Sequence, residues 1–239
     1  MLEKAFDEYV KNYDMNDENI SLKYKHSYRV MKLNEHYAKE LGFSKEDVEL
    51  ARIIGLLHDI GRFEQLRVYH SYNDFKTVDH ADYSVTQLFD KGEIKKFTDK
   101  EEDYEIIKFA IQNHNKFHIA ECHDERMLKH AKLIRDSDKV DIIFLMGFLK
   151  ELNQKAIDEP VTEEILESIR RHETISKKKV KNKNDSIALE FALTFDINYN
   201  ICLPDMKKNL GYLYDQIEGE KYFREIRDIV NDYIDERLK

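Results

Sequence analysis

Apolar residues recur along the 239-residue chain at spacings of three and four, and no run keeps the strict two-residue alternation of a half-buried strand. The pattern predicts a short helix over residues 3–12 and a longer one over 25–41, where Tyr28, Met31, Leu33, Tyr37 and Leu41 fall roughly on helical spacing and Gly42 is the stop. Ser44 caps the next segment, with Asp47 in the acidic position of a capping box, and that helix runs through Val48, Ala51, Ile54, Leu57 and Ile60 to Gly61. Leu50, Ile53 and Leu56 are apolar as well, so the segment is oily around most of its circumference and belongs at the centre of the fold. A polar loop, 69–79, leads to a helix near "DHADYSVTQLF" closed by Gly92, and Asp99 opens another that ends near His114. The segment "ERMLKHAKLIRDSDKVDIIFLMGFLKEL" predicts one or two helices meeting near Ser137, its second half core. Residues 177–185, "KKKVKNKND", carry no apolar period and read as an exposed, solvated connector. From Ser186 onward two or three helices, anchored by residues such as Phe191, Leu213, Ile226 and Ile234, complete a scaffold that could also form the interface of a homo-oligomer.

Composition narrows the class. Only seven glycines and two prolines punctuate a chain otherwise rich in helix formers, which predicts a single all-α domain over 1–239. The longest apolar stretches, "IIGLL" and "IIFLMGFL", are too short to span a bilayer, and the start "MLEKAFDEYV" is too acidic for a secretory signal. The expectation is a soluble, cytoplasmic protein with no membrane partner. Cys122 and Cys202 stand far apart outside any CxxC pair, so both are expected as reduced thiols. The net charge of −9 argues against an extended nucleic-acid surface; an anionic substrate would be small, or recognised where a metal makes one pocket locally positive.

The chemistry concentrates in "LLHDIGRFEQ", where His58 and Asp59 follow an apolar run that should be buried. An imidazole and a carboxylate there cost free energy unless each has a partner, and two ligands cannot complete a metal site. Four further residues stand at helix ends or beside apolar runs as candidates: His26, His80, His114 and Asp138.

The order His26, then "HD" at 58 and 59, then Asp138 in "RDSDKVD" resembles the signature of the HD-domain superfamily of metal-dependent phosphohydrolases, which are all-α. "KHSYRVMKL", "GLLHDIGR" and "LIRDSDKVD" resemble the family's opening histidine helix, its core and its closing aspartate, over roughly residues 22–145, with 146–239 as a C-terminal helical extension. The resemblance implies that His26, His58, Asp59 and Asp138 ligate a first metal, Asp138 rather than Asp136 matching the second aspartate of the closing word. It extends to His80 in "DHADYSV" and His114 in "IQNHN"; members with both bind two metals bridged by the aspartate of the HD pair. "IQNHN" lacks the double histidine of many relatives and no GYP tripeptide follows, which disfavours a cyclic-dinucleotide phosphodiesterase.

Imidazole and carboxylate donors suit divalent iron, manganese, cobalt, nickel or zinc, and a bridging carboxylate holds two such ions close enough to share a hydroxide that attacks phosphorus. The expected activity is hydrolysis of a phosphate ester of a small molecule, a nucleotide above others. Asp59 stands at the centre of that chemistry, and Arg62 and Lys139 are the candidate phosphate contacts. Arg62 could instead pair with an acid, Glu64 could form a surface salt bridge, and Asp136 could cap the following helix. His36, His70, His118, His123, His130 and His172 are expected on the surface or in loops. Two rivals stand beside it: a diiron oxygenase of the myo-inositol oxygenase type, which is similar in its order of ligands, and a non-catalytic module that keeps the fold and senses a nucleotide, against which the complete ligand set argues.

Overall fold

The computed structural model describes residues 2–148, 157–217 and 220–239. Among them every regular element is helical, as the periodicity predicts. The chain divides into two compact units, Met1–Asp138 and Lys139–Lys239. The first holds α1 (Leu2–Val10), α2 (Glu18–Glu40), α3 (Lys45–Leu57), α4 (Ile60–Tyr69), α5 (His80–Val85) and α6 (Tyr104–Asn113), and α7 (Glu125–Phe148) carries the chain onward into the second. The second holds α8 (Glu163–Arg170), α9 (Lys183–Ala192), α10 (Leu203–Asp215) and α11 (Arg224–Arg237). No helix of the described residues is long and apolar enough to cross a membrane.

The helix expected over 25–41 begins earlier, because the Asp17 carboxylate accepts the Asn19 N–H at 2.8 Å and caps α2 ahead of the apolar pattern. His26 therefore lies two turns inside the helix instead of opening it. α3 is the central helix that its oily circumference predicts: Leu50, Ile54, Leu56 and Leu57 are all but inaccessible and join Val30, Phe63, Leu88 and Ile107 in one core. It lies directly on α2 at Gly55, where a β-carbon would come within 2.9 Å of the Met31 α-carbon.

The single helix expected from Ser44 to Gly61 is instead two. α3 stops at Leu57, His58 and Asp59 take the corner, and α4 starts at Ile60. Apolar periodicity does not register this change of direction, because buried apolar residues flank the corner on both sides, Leu56 and Leu57 before it and Ile60 and Phe63 after it. Gly61 is no stop signal: its N–H donates to Ser84 Oγ at 2.9 Å, and a β-carbon there would fall 2.5 Å from the Ser84 nitrogen, so the residue lets α4 rest on α5.

α7 passes through Ser137 without a break, which places Asp136 inside a helix and not at a cap. The last residues of that expected segment, 149–152, lie outside the described residues. The lysine-rich stretch is only partly a connector, since α9 already starts at Lys183. Its Asp185 is fully buried and accepts the N–H groups of Thr162 at 2.8 Å and Lys181 at 2.9 Å.

Half of the predicted capping box forms, with Ser44 Oγ accepting the Asp47 N–H at 3.1 Å. The Asp47 carboxylate turns to α7 and accepts from Lys129 Nζ at 2.6 Å, Arg126 Nε at 2.7 Å and His130 Nε2 at 3.2 Å. His130, expected at the surface, is fully buried by this contact, and burial pushes its imidazole down to about 4. Burial alone would raise the Asp47 pKa, but Lys129, Arg126 and His130 outweigh it and hold the carboxyl well below the usual range. Its contribution to stability is therefore present above the unfolded carboxyl's pKa and lost as pH falls through the depressed folded value. Asp47→Ala should cost about 3 kcal/mol at pH 7, the scale for a broken buried ion pair. Urea unfolding of mutant and parent at pH 7 and again near pH 3 should show the gap narrowing in acid.

Candidate metal centre

All six sequence-predicted ligands meet within the first unit, at the ends or inner faces of five helices. His58 is the C-cap of α3 and Asp59 the corner residue, His80 starts α5, His114 is the C-cap of α6, and His26 and Asp138 lie inside α2 and α7. Each is buried, none more than 9% exposed.

The two oxygens of Asp59 divide the histidines between them. Oδ2 lies 3.6 Å from His26 Nε2 and 3.7 Å from His58 Nε2, whereas Oδ1 lies 3.5 Å from His80 Nε2 and 3.6 Å from His114 Nε2. Asp138 Oδ1 closes the first group, at 3.2 Å from His26 and 3.5 Å from His58. Three ligand sets follow, His26–His58–Asp59, His58–His114–Asp138 and Asp59–His80–His114, each with its donor atoms within 4.8 Å of one another.

Hydrogen bonds on the far side of the rings decide what these donors can be. His58 Nδ1 faces Gly55 O at 2.8 Å and His114 Nδ1 faces Ile111 O at 2.7 Å, so both rings donate from Nδ1 and, when neutral, leave Nε2 bare. His80 Nδ1 meets the Asp74 carboxylate with the same result. Burial pushes His58 down, and pushes His80 down to about 4 against the upward pull of Asp74 and Asp59. The His80 and His114 Nε2 atoms face each other 3.1 Å apart while both Nδ1 atoms are committed on the far side, so two lone pairs meet there when the rings are neutral. Asp59 Oδ1 beside them is buried with no hydrogen-bond partner. A cation resolves both conflicts, and the mixed imidazole and carboxylate donors fit a divalent transition metal.

Burial opposes ionisation of Asp59, but the Lys23 ammonium, 2.6 Å from Oδ2, and the surrounding imidazoles outweigh it and hold the carboxyl well below its ordinary value. Asp138 is depressed against burial by His26 and His58.

Other residues hold the ligand-bearing helices in register. Ser137 Oγ donates to Asn34 Oδ1 at 2.7 Å and Asn34 Nδ2 to Ala51 O at 2.8 Å, tying α7, α2 and α3 together through fully buried side chains. Arg135, also buried, donates to the carbonyls of Asn113 at 2.7 Å and Lys116 at 2.6 Å and so fixes the turn that bears His114. Gln65 Nε2 donates to Thr77 Oγ1 and to Val78 O in the loop before His80, at 2.8 and 2.9 Å.

Arg62, expected as a phosphate contact, donates from Nη1 to Gln65 Oε1, Tyr72 O and Asp74 Oδ1, each at 2.8 Å, and its Nε lies 3.8 Å from Asp59 Oδ1. Lys139, at the start of the second unit, pairs with Asp196 at 2.7 Å. Sequence reasoning missed Lys23, Asp74 and Arg135. Lys23 precedes His26 by one helical turn, which is a usable signal for a shared face; nothing in the sequence separates Asp74 from Asp79 or Asp82.

The family model described as HD domain matches residues 24–143, half of the chain and all six of these positions. No curated protein and no solved structure gives a significant match.

Because each oxygen of Asp59 faces its own histidine pair, Asp59→Ala should abolish binding of both cations, whereas His80→Ala or His114→Ala should remove one and leave the His26–His58–Asp138 group loaded. Elemental analysis of the manganese-saturated proteins should read about zero, one and two ions for the Asp59 variant, the His80 or His114 variant and the parent, in that order.

Proposed function

The chain belongs to the HD-domain superfamily of metal-dependent phosphohydrolases, and from that premise we propose that it hydrolyses a phosphate ester of a small molecule, a nucleotide before others. The reading has His26, His58, Asp59 and Asp138 holding one divalent ion and Asp59, His80 and His114 a second. The observation that carries it is the division of Asp59, one oxygen toward each histidine pair. When bound, iron, manganese, cobalt, nickel or zinc at such a centre lowers the pKa of water and neutralises charge on phosphoryl oxygens.

The chain's own residues supply the rest. Gly55 O, Ile111 O and Asp74 hold the Nδ1 protons of His58, His114 and His80, so that the Nε2 lone pairs stay aimed at the centre throughout turnover. Asp59 and Asp138 remain ionised at neutral pH, which gives the site two negative charges to offset dications. Burial of all six side chains keeps bulk water from competing for them and strengthens every electrostatic interaction inside. Arg62 secures the loop bearing Asp74 and Tyr72, which makes it a positioning residue for His80 in this reading.

The same ligand order could serve oxygen chemistry, so the decisive experiment follows the origin of the new oxygen. The purified, metal-loaded protein is to be screened for phosphate release from nucleoside mono-, di- and triphosphates, and a responsive substrate then turned over in oxygen-18-labelled water with and without air. Hydrolysis predicts one labelled oxygen per phosphate and the same rate without air; unlabelled phosphate or strict dependence on air would reject it.

A further inference from the structure

The ammonium of Lys23 reaches both the buried ligand cluster and the solvent side of it. Its ammonium lies 2.6 Å from Asp59 Oδ2, closer than either histidine that shares that oxygen, yet its side chain is 18% exposed while that of Asp59 is 3% exposed. The neighbouring Arg62 commits its Nη1 to Gln65, Tyr72 and Asp74, and its Nε stands farther from the carboxylate, 3.8 Å from Asp59 Oδ1. Lys23 also stands 5.9 Å from the Tyr72 ring centre, an aromatic face that can receive an ammonium leaving the carboxylate.

A dication and an ammonium cannot both sit on Asp59 Oδ2, since like charges at that separation repel strongly in a buried site. We propose that Lys23 is the anion-binding residue of this centre: it neutralises Asp59 while the site is empty, yields that oxygen to a metal, and then presents its charge to a phosphoryl oxygen of the substrate. The inference rests on the two-cation reading above. It assigns to α2, which supplies His26 one turn later, both a metal ligand and the substrate's counter-charge. A flexible four-carbon stem suits that exchange, because the ammonium can change partner by rotating its own side chain with no movement of the helix.

The test compares full-length Lys23→Met, which keeps the stem and deletes the charge, with Lys23→Arg, which keeps the charge, and with Lys23→Gln as a second neutral variant in case the methionine protein folds poorly. Cobalt(II) titration followed by its visible absorption reads metal affinity, and inorganic phosphate added to the cobalt-loaded protein is the anion probe. Without phosphate, Lys23→Met and Lys23→Gln should bind cobalt roughly tenfold more tightly than the parent, because a competing cation is gone. Their loaded forms should bind phosphate roughly tenfold more weakly, and Lys23→Arg should restore most of that loss. Unchanged phosphate affinity in the neutral variants overturns the anion-binding role, and unchanged cobalt affinity overturns the exchange at Asp59. If the parent itself takes up no metal, the two-cation reading fails and this inference falls with it; a parent that loads two ions beside indifferent Lys23 variants rejects the inference alone.

Discussion

Four imidazoles and two carboxylates held below their ordinary pKa converge on one buried point, and that convergence is unfavourable until a cation fills it. Ionised groups removed from water cost several kcal/mol each unless paired. The single ammonium of Lys23 offsets only part of the charge of Asp59 and Asp138. The first unit therefore has to hold these groups together against their own repulsion, and its buried polar residues are spent on doing so. Asn34 and Ser137 lock three helices through side-chain and carbonyl contacts, Arg135 clamps the turn at His114, and Gln65 and Arg62 pin the loop that precedes His80.

Because the ligands come from different helices, their separation depends on how closely the helices approach. Within the first unit, Gly55 and Gly61 are places where backbone meets backbone too closely for a side chain. The first brings α3 onto α2, and with it His58 Nε2 to 3.2 Å from His26 Nε2. The second seats α4 on α5 one turn after His80, which sets the distance between Asp59 and the second histidine pair. The glycine in "HDIG" is thus a packing requirement whose consequence is felt at the metal ligands.

The parts of this arrangement legible in the sequence are those that metal chemistry and helical periodicity dictate through residue type. Imidazole and carboxylate donors suit a divalent transition ion, and the order of His26, His58, Asp59, His80, His114 and Asp138 survives in one dimension even though their contacts are formed in three. The oily circumference of α3 likewise announced a central helix. What could not be read depends on direction or on partners far away in the chain. The corner at His58 and Asp59 is silent because buried apolar residues, Leu57 and Ile60, stand directly on either side of it. The burial of His130 follows from a partner 83 residues earlier, Asp47. Lys23, Asp74 and Arg135 are ordinary charged residues in sequence and acquire their roles only from what the fold sets opposite them.

The two histidine pairs of the centre come from different helix pairs. His26 and His58 come from α2 and α3, whose mutual packing is fixed at Gly55 and by Asn34. His80 and His114 come from α5 and α6, and their loops are tied to each other, not to the first pair: Asn115 Nδ2 donates to Asp79 Oδ1 at 3.0 Å, and Lys116 pairs with both Asp79 and Asp82 at 2.8 Å. Asp59 joins the two pairs because it occupies the corner between α3 and α4, where one carboxylate can face both ways. Asp59 and the edge contact of the His58 and His114 rings, 5.1 Å between centres, bring the two pairs together. A change at Asp59 is therefore felt by both histidine pairs.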